Sequence, residues 1–109
     1  MRKLVKLALL PMLVLGGVLA QLPAVLAADY VIVVDHMKFG ELPAQLQVGD
    51  TITWRNDDIF RHSATARDKS FDVDLPAKAE AVMTVQTAGN VDFFCKFHPG
   101  MKGTLVIAP

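Results

Sequence analysis

From residue 28 onward no stretch of the sequence carries a sustained helical period, and this constrains the fold more than any other feature. Apolar residues come instead in short β-branched or alternating runs broken by turn signals. DYVIVVDHMKF is such a run, with His36 inside the strand. In LQVGDTITWRN a Gly49-Asp50 turn precedes Ile52 and Trp54, which alternate with Thr51, Thr53 and Arg55. AEAVMTVQTAG alternates Ala81, Met83 and Val85 against Val82, Thr84 and Gln86. A Gly89-Asn90 turn leads into NVDFFCKF, and KGTLVIAP is a last strand. The less regular segment from Arg61 to Lys78, with its charges and Pro76, reads as one strand followed by a long surface connection. Short strands at this spacing predict an antiparallel β-sandwich whose loops gather at its two ends. Trp54 and Phe94 are expected in the core, with Met37 and Met83 filling gaps.

The chain of 109 residues is long enough for one small domain. Its opening, MRKLVKLALLPMLVLGGVLAQLPAVLA, has cations at Arg2, Lys3 and Lys6, an apolar stretch from Leu7 to Ala20, and a small-residue close at Ala27. That pattern is a secretory signal peptide over residues 1–27, cut after Ala27 to leave a domain of residues 28–109. The competing reading is an uncleaved anchor, because no charge occurs from Leu7 through Ala28, a length that spans a bilayer. Pro11, the Gly16-Gly17 pair, Gln21 and Pro23 weigh against it.

Loss of the leader would remove three of the 11 basic residues and none of the 11 acidic ones, leaving 8 against 11 and a formal charge of −3. A nucleic-acid partner is therefore not expected, since phosphate binding needs a basic face. Export also sharpens the meaning of Cys95, the single cysteine. Small exported domains usually carry disulfides because their cores are marginal, and one cysteine cannot form an internal one. Cys95 is then either buried and inert or occupied by a metal, which would also stabilise the fold.

Cys95 ends the strand NVDFFC, and the loop that follows carries His98 and Met101 in a C-x2-H-x2-M array. A strand sends alternate side chains to opposite faces, so donors at spacings of three converge only in a folded loop. Pro99, Gly100 and Gly103 provide the turn chemistry for one. Thiolate and thioether are soft ligands that suit copper, and two histidines, one cysteine and a weak axial methionine make an electron-transfer copper site. The missing histidine is His36 or His62. His62 is favoured, because it follows the strand of Trp54 in a loop able to reach the same end of the sandwich.

GDTITWRNDDIFRHSAT followed by FFCKFHPGMKGTLVI resembles the blue copper proteins, or cupredoxins. The short C-x2-H-x2-M loop is similar to that of amicyanin rather than plastocyanin or pseudoazurin, whose loops carry more residues between histidine and methionine. The resemblance runs from about Val31 to Ile107 and implies an all-β Greek-key sandwich of about seven or eight strands. It implies one type 1 copper ion per chain, held by His62, Cys95, His98 and Met101, with electrons passing through the exposed edge of His98. The function implied is single-electron shuttling between redox partner proteins that dock briefly near His98, with no catalytic residues. It also implies that His98 leaves the reduced metal and takes a proton, so that the reduction potential rises as pH falls. One departure stands out: the family often has asparagine directly after the first histidine, tying the two ligand loops together, and this chain has Ser63. A serine hydroxyl and backbone N–H are expected to make similar bonds.

Plainer readings stand beside these. A lone cysteine is often a small hydrophobe, and methionine often fills core gaps; spacing, export and His62 together argue otherwise here. His36 is expected to be a strand histidine with a structural hydrogen bond, and Asp57 and Asp58 a solvated turn. Phe97, Pro99, Leu42 and Pro43 are candidates for an apolar collar around His98. The alternative function is copper delivery or buffering, whose sites tend to be exposed and rich in methionine or histidine. A structural sandwich without metal would leave four donors unexplained. A copper oxidase needs many histidines, and this chain has 3. The expected setting is a bacterial periplasm, the expected state a monomer without stable membrane insertion.

Overall fold

The computed structural model describes residues 26–109, so the leader reading lies, apart from its last two residues, outside the described residues. Among the described residues no helix is long and apolar enough to cross a membrane. Nine short strands among the described residues form a four-stranded sheet, order β2-β1-β4-β7, and a five-stranded sheet, order β3-β9-β8-β5-β6. The strands are β1 Asp29–Asp35, β2 Lys38–Phe39, β3 Leu46–Gln47, β4 Thr51–Asn56, β5 His62–Ala66, β6 Asp72–Leu75, β7 Glu80–Thr84, β8 Gly89–Phe94 and β9 Lys102–Ala108. The all-β sandwich is thus as expected.

Alternation decides what each strand buries. Ile32 and Val34 of β1, Ile52 and Trp54 of β4, Val91 and Phe93 of β8, and Leu105 and Ile107 of β9 point between the sheets. Trp54 packs edge-on to Phe93 with ring centroids 5.3 Å apart, and Phe39 reaches both rings. Aromatic pairs at such angles add to the burial term. Gly103 is required here, because a Cβ on it would stand 2.6 Å from the Phe93 ring.

Four expectations are corrected. The core residue of β8 is Phe93, not Phe94: the period that puts Val91 inward puts Phe93 and Cys95 inward too, and Phe94 lies half-buried under the Arg67 guanidinium. His36 is not in a strand. With Met37 it forms the two-residue turn of the β1–β2 hairpin, both at positive φ (51° and 60°), the backbone that hairpin twist demands. The segment after β5 contains a further strand, β6, paired antiparallel to it with His62 opposite Leu75 and Thr65 opposite Asp72. Lastly, the sheets are not wholly antiparallel, since β1 pairs β4 and β3 pairs β9 in parallel. The chain leaves the first sheet after β2, crosses to the second as β3, and returns beside β1, so the connection that parallel strands require runs through the opposite sheet. Asp50, buried at the return, accepts the backbone N–H of Ala28 and of Gln47.

Candidate metal centre

Three donors predicted from the sequence meet at one end of the sandwich, where β5 begins and β8 ends. One donor atom each from His62, Cys95 and His98 lies within 4.8 Å of the others. The Cys95 sulfur is 3.8 Å from Nδ1 of His62 and 3.8 Å from Nδ1 of His98. An ion about 2.3 Å from a thiolate and about 2.0 Å from an imidazole nitrogen, the distances of a first-row ion such as zinc, needs these atoms roughly 3.5 to 4 Å apart when its bonds are splayed. Both sulfur–nitrogen distances therefore fit a shared metal ion.

The loop that returns from β8 to β9 closes on itself. Cys95 N–H donates to the Met101 carbonyl at 3.0 Å, and Met101 N–H donates to the His98 carbonyl at 2.8 Å. These bonds fold the C-x2-H-x2-M array so that Cys95 and Met101 are both buried while Pro99 and Gly100 stay at the surface. His98 is half-buried at the opening.

His62 is fully buried, and the group that holds it was not among the expected site residues. Its Nε2 lies 2.8 Å from Asp58 Oδ2, and the same oxygen accepts the Met37 N–H at 3.0 Å. The Met37 N–H first, then the His62 ring, hold the Asp58 carboxyl below its ordinary range. An ionised carboxylate only accepts, so Nε2 of His62 donates to it and Nδ1 is the nitrogen that faces the sulfur. Asp58 is thus no solvated turn residue. A search for a carboxylate beside each candidate histidine ligand would have found it, since ligating histidines commonly donate their second N–H to one.

Asn56 was missed as well. Fully buried, it donates from Nδ2 to the carbonyls of Phe60, Leu75 and Pro76, while its Oδ1 accepts the Asp58 N–H at 2.9 Å. It shapes the 57–61 loop and so places Asp58. Ser63 makes the bonds expected of it: its N–H donates to the Cys95 sulfur at 3.3 Å, and its Oγ accepts the Lys96 N–H at 2.9 Å. That N–H joins the start of β5 directly to the Cys95 sulfur.

The apolar surface around His98 differs from expectation. Phe60, half-exposed and 6.4 Å from the His98 ring by centroids, joins it, while Phe97 lies under the Arg61 guanidinium at 4.7 Å. Leu42 packs instead toward Gly103 and the core. His36 stands apart at the exposed hairpin turn, 3.1 Å from the Asp35 carboxylate.

No family model matches the chain. Among curated proteins it is 28% identical over 87 residues to amicyanin of Paracoccus versutus, covering 73% of this chain and 66% of that protein. It is 32% identical over 88 residues to amicyanin of Paracoccus denitrificans, covering 73% of this chain and 67% of that protein. The chain thus spans about two thirds of the length of these relatives. A solved structure of a reduced Cu(I) amicyanin mutant at pH 4 superposes with a TM-score of 0.62 at 27% identity, over 73% of this chain and 82% of that one. A Cu(I) form of another amicyanin mutant gives 0.62 at 25% identity, over 78% and 87%. With the fold, the His–Cys–His cluster and these relatives in agreement, the chain belongs to the amicyanin family of the cupredoxins, with a cluster of donors placed to hold a metal ion.

Proposed function

We propose that the protein is an exported blue copper protein that carries single electrons between redox partners and catalyses no reaction of its own. His62, Cys95 and His98 would hold the metal, with Met101 as the weak fourth ligand. One observation carries the reading: three donors of the right type converge within 4.8 Å at the end of a rigid sandwich, with Met101 buried in the same loop. When bound there, copper would supply a Cu(II)/Cu(I) couple in a set of one thiolate, two imidazoles and a thioether.

The chain's own groups account for the rest. Asp58 fixes the His62 tautomer and ring, the Ser63 N–H eases the charge on the Cys95 sulfur, and two backbone bonds close the loop. Donors held this firmly have little to rearrange when charge changes, which favours fast transfer. His98 is the donor nearest solvent, and Phe60 beside it offers an apolar rim suited to brief docking, where release matters more than affinity. The periplasm is the natural compartment, with the leader of residues 1–27 as the export signal.

The test is the visible spectrum of the protein titrated with Cu(II), before and after ascorbate, alongside Cys95→Ala. The expected result is an intense blue band at one copper per chain, bleached by reductant and absent from the variant. Binding without colour would favour copper delivery, and no binding would return Cys95 to the core. The same reading expects the reduction potential to rise as pH falls, with His98 on the open side taking the proton; a flat potential from acid to neutral pH overturns that part.

A further inference from the structure

We infer that Thr65 and Asp72, on the outer face of the five-stranded sheet, are positioning residues for the Cys95 sulfur, acting through Ser63 and both ends of Lys96. Ser63 and Thr65 lie two apart on β5, so their side chains share a face, and Asp72 stands opposite Thr65 on β6. Phe94 pairs with Thr65 from the other side, and Lys96, two residues further, comes to the same face. The contacts form a closed circuit. Lys96 N–H reaches Ser63 Oγ at 2.9 Å; Ser63 Oγ lies 2.9 Å from Thr65 Oγ1; Thr65 Oγ1 lies 2.8 Å from Asp72 Oδ1; and Lys96 Nζ returns to Asp72 Oδ2 at 2.9 Å.

Proton bookkeeping gives this circuit one direction. The Asp72 carboxylate only accepts, so Thr65 must donate to it. With its single hydrogen used, Thr65 can only accept from Ser63, which spends the Ser63 hydrogen and leaves a lone pair of Ser63 Oγ for the Lys96 N–H. Lys96 is thereby gripped by its backbone and by its side chain, directly after Cys95, while the Ser63 N–H faces the sulfur. Hydroxyls aligned in sequence polarise one another. The circuit does the work of tying the two ligand loops with a serine, a threonine and an exposed carboxylate.

This inference deepens the copper reading and takes its purpose from it, yet its main readouts need no metal. The test compares Thr65→Val, which keeps the shape and removes the hydroxyl, with Thr65→Ser, which keeps the hydroxyl. In copper-free protein, amide exchange of Lys96 and Ile32 is measured together with the rate at which Cys95 reacts with an aromatic disulfide. Thr65→Val is expected to raise Lys96 exchange and thiol reactivity by roughly three- to tenfold, the effect of one lost hydrogen bond. Ile32 in β1 should not change, and Thr65→Ser should behave as the parent. Unchanged Lys96 exchange, an equal rise at Ile32, or a serine variant that behaves like valine would each overturn the inference. If the valine variant fails to fold, Asp72→Asn at the solvent-exposed rim carries the same readouts. In Cu(II)-loaded protein the valine variant alone should shift the thiolate absorption; a parent protein with no colour would sink the copper reading and leave the exchange result standing.

Discussion

The two histidines of the site are built in opposite ways. His62 begins a central strand, is fully buried, and has its second nitrogen on a carboxylate that also grips the Met37 turn. His98 sits in a loop, half-buried, and among the described residues its ring meets the Cys95 sulfur, the His62 ring and Phe60. One side of the site is framework and the other is a doorway. The proposed electron carrier would use both, because a rigid donor set keeps rearrangement small while an open edge lets a partner approach.

The largest effect should come from attacking the framework at Asn56. Asn56→Ala removes a buried amide and leaves the Asp58 N–H and the carbonyls of Phe60, Leu75 and Pro76 without their partner. Denaturant unfolding of the copper-free protein should lose about 2 to 4 kcal/mol, since stranded buried polar groups carry their full desolvation cost. A loss below about 0.5 kcal/mol, the range of ordinary surface changes, would mean that the loop does not depend on it.

Next comes Asp58→Asn. An amide can donate as well as accept, so the His62 tautomer is no longer forced. Loss of such a partner weakens metal affinity by about 10- to 100-fold. A competition titration with Cu(II) measures this, and affinity equal to the parent's would erase the contrast between the two histidines.

A smaller effect is expected at acid pH. Lys96 first, then Thr65, hold the Asp72 carboxyl below its ordinary value of 3.8. Because the folded value is depressed, the contribution is complete above that ordinary value and is lost as pH falls through the folded one. Both charged side chains are about half-exposed, so solvent screens the pair. Asp72→Asn should flatten the fall of the unfolding midpoint between roughly pH 5 and pH 2 without changing the midpoint's rank at neutral pH by more than a few tenths of a kcal/mol. An acid limb identical to the parent's would remove Asp72 from the account.

At the doorway the stability change is again small. Phe60→Ala should cost less than about 1 kcal/mol, because the ring is half-exposed and little packing is lost. Its expected signature is slower electron exchange with a partner at unchanged copper affinity. If stability falls as far as in Asn56→Ala, the apolar rim is framework after all.

Much of this was legible in the chain. Alternation in TITWRN and GNVDFF marks the core, as Trp54 and Phe93 illustrate, although reading Phe94 for Phe93 shows how one step of register exchanges inside for outside. The C-x2-H-x2-M spacing and the turn chemistry of Pro99 and Gly100 announced a folded donor loop. Ser63 was visible as a departure, and its two bonds could be anticipated in kind.

What the sequence determined by itself is local: which segments are strands, where they turn, and which donor atoms one loop can gather. Those follow from periodicity and from backbone preferences that act over a few residues. What only the tertiary structure decided is long-range pairing. Asp58 meets Met37 across 21 residues, Lys96 meets Ser63 across 33, and Asp72 meets Lys96 across 24. Such contacts depend on which sheet each strand joins and in what register, and no short stretch encodes that choice. The donors were written in the chain, whereas the groups that hold them still exist only where separate strands come side by side.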